Sequence, residues 1–521
     1  MGQLLETRLK HLSAPEMAGL VRGGQRGVER ECLRIAPSGQ LAQTPHPRAL
    51  GSALTNEYIT TDYSEALLEF VTPPQLTNWE TIQFLCDVHQ FVMEHLGDEL
   101  IWPLSMPCSI SSDDDVPLAR YGSSNIGRMK TIYRRGLGHR YGRIMQAIAG
   151  IHYNYSLPDA FWPLYQQLEG QGGDLKAFRS ATYLGAVRNV RRLDWLLLYL
   201  FGASPALCKT FVRGRGPTNL EELDAGTLFG PYATSLRMSD LGYRNSAQAN
   251  LVVSANSVEE YVRDLYQATH APRPEFERLG VKVDGEYRQL NANQLQIENE
   301  FYSTLRPKRV VRPGERPTAA LKRGGVQYIE LRALDISPWD PVGINQRQLR
   351  FLEVFLIYCL LQDSPPISAA EQERIDRNHG LVARRGREPG LRLDRGDETV
   401  ALRDWATTIC QDLVQVALLI DPGEQQGHVD AIRYQLQAVE DPERTPSAAL
   451  LRDLRTEGQT LAAYGLELAG RTRDYFRSLA PDLNRQRELL TTEAELSHAR
   501  QTQIESSDDV PFDEYLARYL A

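Results

Sequence analysis

The chain has 521 residues, 42% hydrophobic and 24% charged, with a net charge of -9. That length is too great for one simple core and suits two to four packed units, or one large enzyme body with an appendage. The mild acidity excludes general nucleic-acid binding, because nothing offsets the repulsion from phosphates. No apolar run approaches the roughly 18 residues that a membrane span needs. The most apolar stretch, Leu193–Cys208, is broken by Gly202 and Pro205 and reads as a buried helix. The N-terminal "MGQLLETRLKHLS" lacks an apolar core and a small-residue cleavage site, so a cytoplasmic protein with no membrane partner is expected. The cysteines Cys32, Cys86, Cys108, Cys208, Cys359 and Cys410 are scattered, without a CxxC pair or zinc-like spacing. Reduced thiols are the expectation.

In chain order, residues 1–26 read as one or two short helices. "GVERECLRI" (Gly27–Ile35) reads as a strand, with Glu29 and Glu31 on one face about 7 Å apart. Two such carboxylates repel each other unless something cationic lies opposite. Ala66–Thr72 is a second strand, and Asn78–Leu100 has the apolar spacing of a long amphipathic helix. Ser111–Arg128 reads as a polar loop. "RMKTIYRRGLGHRYGRIMQ" after it is a basic helix–turn–helix dotted with tyrosines. Ala147–Pro158 is a strand, residues 159–208 are helical, and residues 211–245 are loop-rich. Gly325–Ile336 is a clean strand, followed by a helix over 346–362, a connecting region over 363–400 and helical, polar sequence over 401–521. We therefore divide the chain into a catalytic body (1–362), the connecting region and a C-terminal helical part (401–521). The strands lack regular βαβ spacing, which favours an α+β fold with a mostly antiparallel sheet.

The chemistry lies on the strands. In Gly325–Ile336, Tyr328, Glu330 and Arg332 share one face and Ile329, Leu331 and Ala333 the other. His152 and Asn154 share a face of their strand. Asp62 sits in a turn, and Glu69 lies inside the apolar run Ala66–Val71, where a carboxylate is costly without a cation or donors. Alone, each describes an ordinary surface strand, a satisfied histidine or a cross-strand salt bridge. Together Glu29, Glu31, Asp62, Glu69, His152 and Glu330 form a donor set suited to hard divalent cations such as Mg²⁺, which prefers oxygen ligands and phosphates. Arg128, Lys130, Arg134 and Arg135, with Tyr133 and Tyr141 among them, would meet a phosphate or an amino-acid carboxylate. There is no Walker A sequence, so any ATP must be held by carboxylate-bound metal and arginines.

Several long strings carry a resemblance: "GVERECLRI", "YITTDYSEALLEFVTPP", "IWPLSMPC", "YGSSNIGRMKTIYRRGLGHRYGRIMQAIAGIHYNYSLP", "LFGASPALC", "ATSLRMSDLGYRN", "QLQIENEFYSTLRPKR" and "RGGVQYIELRALDISP". In order from about residue 20 to 360, they resemble the proteobacterial glutamate–cysteine ligases, or γ-glutamylcysteine synthetases. The region after about 400 matches mainly in length and helical character. The resemblance implies a glutamine synthetase-like fold, whose curved antiparallel sheet walls a funnel surrounded by helices. It implies ATP-dependent joining of the L-glutamate γ-carboxylate to the amine of L-cysteine through a γ-glutamyl phosphate, the first step of glutathione synthesis. Mg²⁺ is the implied metal, with Mn²⁺ as a substitute, and glutathione an implied feedback inhibitor of a monomeric enzyme.

Carried over residue by residue, the resemblance makes Glu29, Glu31, Asp62, Glu69, His152 and Glu330 metal ligands. Arg332 and Arg134 become the catalytic residues that meet the ATP phosphates. Arg237 and Asn154 bind glutamate. Tyr133, Gln146, Tyr243 and Tyr302 form the cysteine pocket. Cys32 replaces a small hydroxyl residue common in relatives, on the strand face away from Glu29 and Glu31. Other readings are a ligase of this fold with a different acceptor amine, a non-catalytic regulator, and a metal-dependent phosphohydrolase.

Overall fold

The computed structural model describes residues 2–214, 216–242, 251–312, 314–421 and 426–520. Its centre is a seven-stranded sheet built from β1 (Gln25–Ile35), β2 (Ile59–Thr61), β3 (Leu67–Val71), β4 (Leu100–Ile101), β5 (Ile151–Ser156), β6 (Leu305–Lys308) and β7 (Tyr328–Leu334). The order is β6-β7-β5-β1-β3-β2, with β4 paired to the end of β1. Every pairing is antiparallel, as the irregular strand spacing predicts.

Alternation sorts the two faces. On β1, Val28, Arg30 and Cys32 are buried against the back, while Glu29 and Glu31 point to the front. On β5, Tyr153 and Tyr155 go back and His152 and Asn154 go forward. Three helices cover the back: α1 (Asn78–His95), α3 (Leu175–Phe201) and α4 (Gln346–Leu361). Thr77 caps α1 in a reciprocal capping box with Glu80, and Asn345 with Gln348 does the same for α4. The C-terminal helices Leu402–Ile420 and Gly427–Glu440 pack on α4 as an outer layer. Among the described residues, no helix is long and apolar enough to cross a membrane.

Several local expectations change. The polar loop ends earlier than predicted, because Ser124 accepts from Gly127 N and starts the helix α2 (Asn125–Tyr141). The basic stretch is one helix and a single 3₁₀ turn, Ile144–Ala147, since Gly142 takes φ +85° and ends α2. Residues 206–208 are strand rather than helix. The connecting region holds a helix, Ala369–Arg385, and a hairpin of Arg392–Arg395 with Glu398–Ala401. The helix is docked through His379, which bonds Asp194 at 2.9 Å and Met238 O at 3.1 Å.

The cysteine expectation is corrected. Cys108 and Cys208 form a disulfide, with Cα atoms 5.4 Å apart and a separation of 100 positions in sequence. Spacing rules detect local pairs, and only the fold brings these two together. Cys32, Cys86, Cys359 and Cys410 remain free thiols, as expected.

Candidate active site

The register aligns the front-face residues across the sheet. Thr60 pairs with Glu69 and Glu69 with Glu31. Glu29 pairs with His152, Asn154 with Glu330, and Glu330 with Arg306. Residues scattered from position 29 to position 330 of the sequence thus form one diagonal band, because period-two alternation on each strand points the same way.

The tightest cluster is Glu29, His152 and Glu330, whose ligand atoms all lie within 4.8 Å of one another. Glu29 Oε2 is 2.9 Å from His152 Nδ1, and its Oε1 accepts from Asn154 Nδ2 at 2.8 Å. His152 Nε2 lies 3.6 Å from Glu31 Oε1. The second Glu31 oxygen accepts from Gly150 N at 2.8 Å. Arg332 Nη1 is 3.0 Å from Glu330 Oε1, and Lys308 Nζ is 3.3 Å from Glu330 Oε2.

Electrostatics divide these carboxyls into two groups. Burial alone would raise Glu330, but Lys308, Arg332 and His152 hold it well below the usual carboxylate range. Glu29 is also lowered; burial and Glu330 oppose this, and the hydrogen bond from His152 prevails. Glu69 goes the other way. Burial, with Asp62, Glu29 and Glu31 nearby, raises it well above the usual range. Glu31 is raised by burial and by Asp62. Carboxyls that resist ionisation because they are buried beside other carboxyls are those that a bound cation would ionise. The donor set is mostly oxygen with one imidazole, which fits Mg²⁺ or Mn²⁺.

At one end of the band, Arg134 Nη2 lies 3.9 Å from Asp62 Oδ1 and Arg134 Nε donates to Asp62 O. Tyr121 OH donates to the same carbonyl at 2.8 Å. The Arg134 guanidinium sits 4.5 Å from the Tyr121 ring centroid and Lys130 Nζ 5.2 Å from it. Burial, with Arg134 beside it, brings the Lys130 ammonium down to about 8.

Beside the band opens a cavity lined by Glu31, Asp62, Tyr141, Met145, Gln146, Ile148, Arg237, Gly242, Tyr302 and Arg332. Tyr302 OH donates to Gln146 Oε1 at 3.1 Å. The cavity therefore joins two of the carboxyl donors to Arg237 and Arg332, though not to Arg134, and to two of the residues expected around an acceptor amino acid. Tyr133 is not in its lining; its carbonyl accepts from Gln296 Nε2 and its ring packs among core residues. Asn154 faces Glu29 rather than the cavity. Tyr243 lies outside the described residues.

Sequence reasoning missed Lys308 and Arg306. Both stand on β6, beside β7, and Pro307 between them obscures a strand. Their period-two spacing in "LRPKR" was the available signal. Tyr141 and Met145 were also missed as cavity walls, because helical spacing alone does not say which side is hollow.

Comparison with known proteins identifies the family. The family model for glutamate–cysteine ligase matches residues 9–382. A glutamate–cysteine ligase from Alcanivorax borkumensis is 50% identical over 524 aligned positions, covering 99% of each chain. One from Pseudomonas putida is 47% identical over 522, covering 100% of this chain and 99% of its own. Among solved structures, the glutamate–cysteine ligase of Francisella tularensis in complex with AMP superposes with a TM-score of 0.89 at 38% identity, over 96% of this chain and 97% of that one. A bifunctional glutathione synthetase from Pasteurella multocida shares the fold at a TM-score of 0.68 and 24% identity, with 93% of this chain and 57% of that one covered. With a matched family model over most of its length and full-length relatives near half identity, this chain belongs to the glutamate–cysteine ligase family of ATP-dependent ligases.

Proposed function

We propose that the site makes γ-glutamylcysteine in two steps at one place. In the first, an oxygen of the L-glutamate γ-carboxylate attacks the γ-phosphorus of ATP. The new O–P bond forms as the bond to the ADP oxygen breaks, leaving γ-glutamyl phosphate. In the second, the amine of L-cysteine attacks the acyl carbon. A C–N bond forms, inorganic phosphate leaves with the C–O electron pair, and the nitrogen loses a proton. Negative charge sits on phosphoryl oxygens throughout, so cationic groups must meet it.

The observation that carries this reading is the band of front-face carboxyls ending in the Arg237–Gln146–Tyr302 cavity, with Arg332 between them. Glu29, His152 and Glu330, with Glu31, Glu69 and Asp62 around them, would hold Mg²⁺. When bound, the metal would neutralise phosphate charge and ionise the raised carboxyls. Arg332 lies within 3.0 Å of Glu330 and lines the cavity, where its guanidinium would meet a phosphoryl group. Arg134 guards the Asp62 end. Arg237 and Asn154 would orient glutamate. Gln146 and Tyr302, against the walls of Tyr141, Met145 and Ile148, suit a small thiol side chain. Glutathione contains the product's γ-glutamylcysteine unit and so would compete for this cavity.

The test is ADP release with each substrate omitted in turn. The reading expects turnover only with both glutamate and an acceptor amine. ATP turnover without either would make the site a phosphohydrolase, and a stronger response to another amine would move the acceptor assignment.

A further inference from the structure

Behind the cavity floor is a buried polar knot of which the reaction scheme uses only Arg237. It is made by Asp335 at the end of β7, by Ser204 and by the segment Ser235–Met238. Asp335, Ser204, Ser235 and Arg237 are each at most 3% exposed. Asp335 Oδ2 accepts from Ser204 Oγ at 2.6 Å and Ala203 N at 2.8 Å. Asp335 Oδ1 accepts from Ser235 Oγ at 3.0 Å and lies 3.8 Å from Arg237 Nη1. The carboxylate is thus clamped on both oxygens, and its remaining attraction is directed at the guanidinium.

Arg237 is constrained from two further sides. Its Nη2 donates to the Arg332 carbonyl at 3.1 Å. A Cβ on Gly150 would fall 2.0 Å from the same Nη2, so the guanidinium lies flat on a backbone that only glycine leaves open. Gly150 N in turn donates to Glu31. Strand β7 therefore sets two arginines at once: Arg332 by its own Cα, and Arg237 through the Arg332 carbonyl and the Asp335 carboxylate. A buried arginine fixed in this way presents a predetermined edge to the cavity, which lowers the ordering cost when a ligand arrives.

We infer that Asp335, clamped by Ser204 and Ser235, is a positioning residue that holds Arg237 at the cavity floor to receive the carboxylate of an amino-acid substrate. The inference rests on the proposed reading of Arg237 as an amino-acid ligand. Burial raises the Asp335 carboxyl, and Arg237 is the first force opposing that, so the guanidinium supports the charge of the carboxylate. Asp335 touches no substrate atom and acts through Arg237 alone.

The experiment is steady-state kinetics on the full chain with Asp335→Asn, Ser235→Ala, Arg237→Lys and Asp335→Asn/Arg237→Lys, varying L-glutamate, L-cysteine and ATP separately, with a thermal melt of each variant. Asp335→Asn should raise KM for one amino acid about tenfold or more, the worth of a hydrogen bond to a charged group. The KM for ATP should stay unchanged and kcat should fall less than about threefold, because uniform binding is lost rather than transition-state stabilisation. Arg237→Lys should raise the same KM, and the double variant should add little beyond the larger single effect. Ser235→Ala keeps the charge and should give a smaller rise for the same substrate. It carries the test alone if Asp335→Asn does not fold. A lower melting temperature with all three KM values unchanged would leave Asp335 a fold-stabilising group and overturn the inference. A KM rise in Arg237→Lys with none in the Asp335 and Ser235 variants overturns the inference and leaves the functional reading standing. No KM change in Arg237→Lys itself takes both down.

Discussion

Replacing Arg332 by lysine keeps a positive charge beside Glu330 but removes the planar fork that can meet two oxygens at once. The structure separates two consequences. Glu330 currently has Arg332 at 3.0 Å on Oε1 and Lys308 at 3.3 Å on Oε2. After the substitution Lys308 still covers Oε2, so Glu330 keeps a cation and remains ionised, and its capacity to hold a metal should change little. The phosphoryl group, however, loses a preorganised donor. Such a loss typically costs about 10²–10³ in turnover, or about 2.7–4 kcal/mol. Arg332→Lys should therefore lower kcat by at least about a hundredfold, with a smaller change in KM for glutamate and a Mg²⁺ requirement within a few fold of the parent's. The assay is kcat by ADP release across a Mg²⁺ series. Full recovery of kcat at high Mg²⁺ would refute the reasoning, because Arg332 would then serve only to place Glu330 as a ligand.

The acceptor pocket has apolar walls at Met145 and Ile148, so 2-aminobutyrate should replace cysteine in the ADP assay. Serine should be poorer, since its hydroxyl must be stripped of water there, and serine matching cysteine would contradict the pocket. Reduction of Cys108–Cys208 opens a 100-residue loop in the unfolded chain, worth up to about 4.7 kcal/mol by loop entropy. A reductant or Cys108→Ser should lower the melting temperature, and an unshifted melt would count against the pairing. Behind the sheet, Glu353 is buried with Arg26, and His428 lies 3.2 Å from Glu353 and 2.7 Å from Asp421. Glu353 is lowered from its usual 4.5, against burial, by His428 and Arg26, so its contribution is present above pH 4.5 and lost as pH falls through its folded value. His428 is raised from 6.5, against burial, by Glu353 and Asp421, so its contribution is present below pH 6.5 and lost as pH rises through its folded value. Glu353→Gln should cost about 3–5 kcal/mol at mid-range by stranding Arg26, with a smaller difference at acid pH in urea unfolding; a constant difference from pH 3 to 9 would contradict this.

The front-face band was legible because strand alternation needs only the identity of neighbours. Glu29 and Glu31, His152 and Asn154, and Glu330 and Arg332 each fell on the face that the sequence implies. What alternation does not give is register, and so the pairing of Glu29 with His152 and of Glu31 with Glu69 came only with the fold. The same limit hid the disulfide, since contact between Cys108 and Cys208 is a tertiary fact. The start of α2 was missed because "SSN" reads as loop until Ser124 is seen to cap Gly127. Asp335 was passed over because a carboxylate following "ELRAL" looks like a strand end. Its partners Ser204 and Ser235 lie 131 and 100 residues away.

The central claim is that the γ-carboxylate of glutamate takes the phosphoryl group before the amine attacks. Glutamate labelled with ¹⁸O in both γ-carboxylate oxygens tests it most directly, with the oxygen content of the released phosphate read by mass spectrometry. The mechanism leaves one labelled oxygen in the new amide and transfers the other to phosphorus. Each inorganic phosphate should then carry a single ¹⁸O for every γ-glutamylcysteine formed. Phosphate free of label, accompanied by full product formation, would contradict an acyl phosphate intermediate and the roles assigned to Arg332 and the carboxyl band.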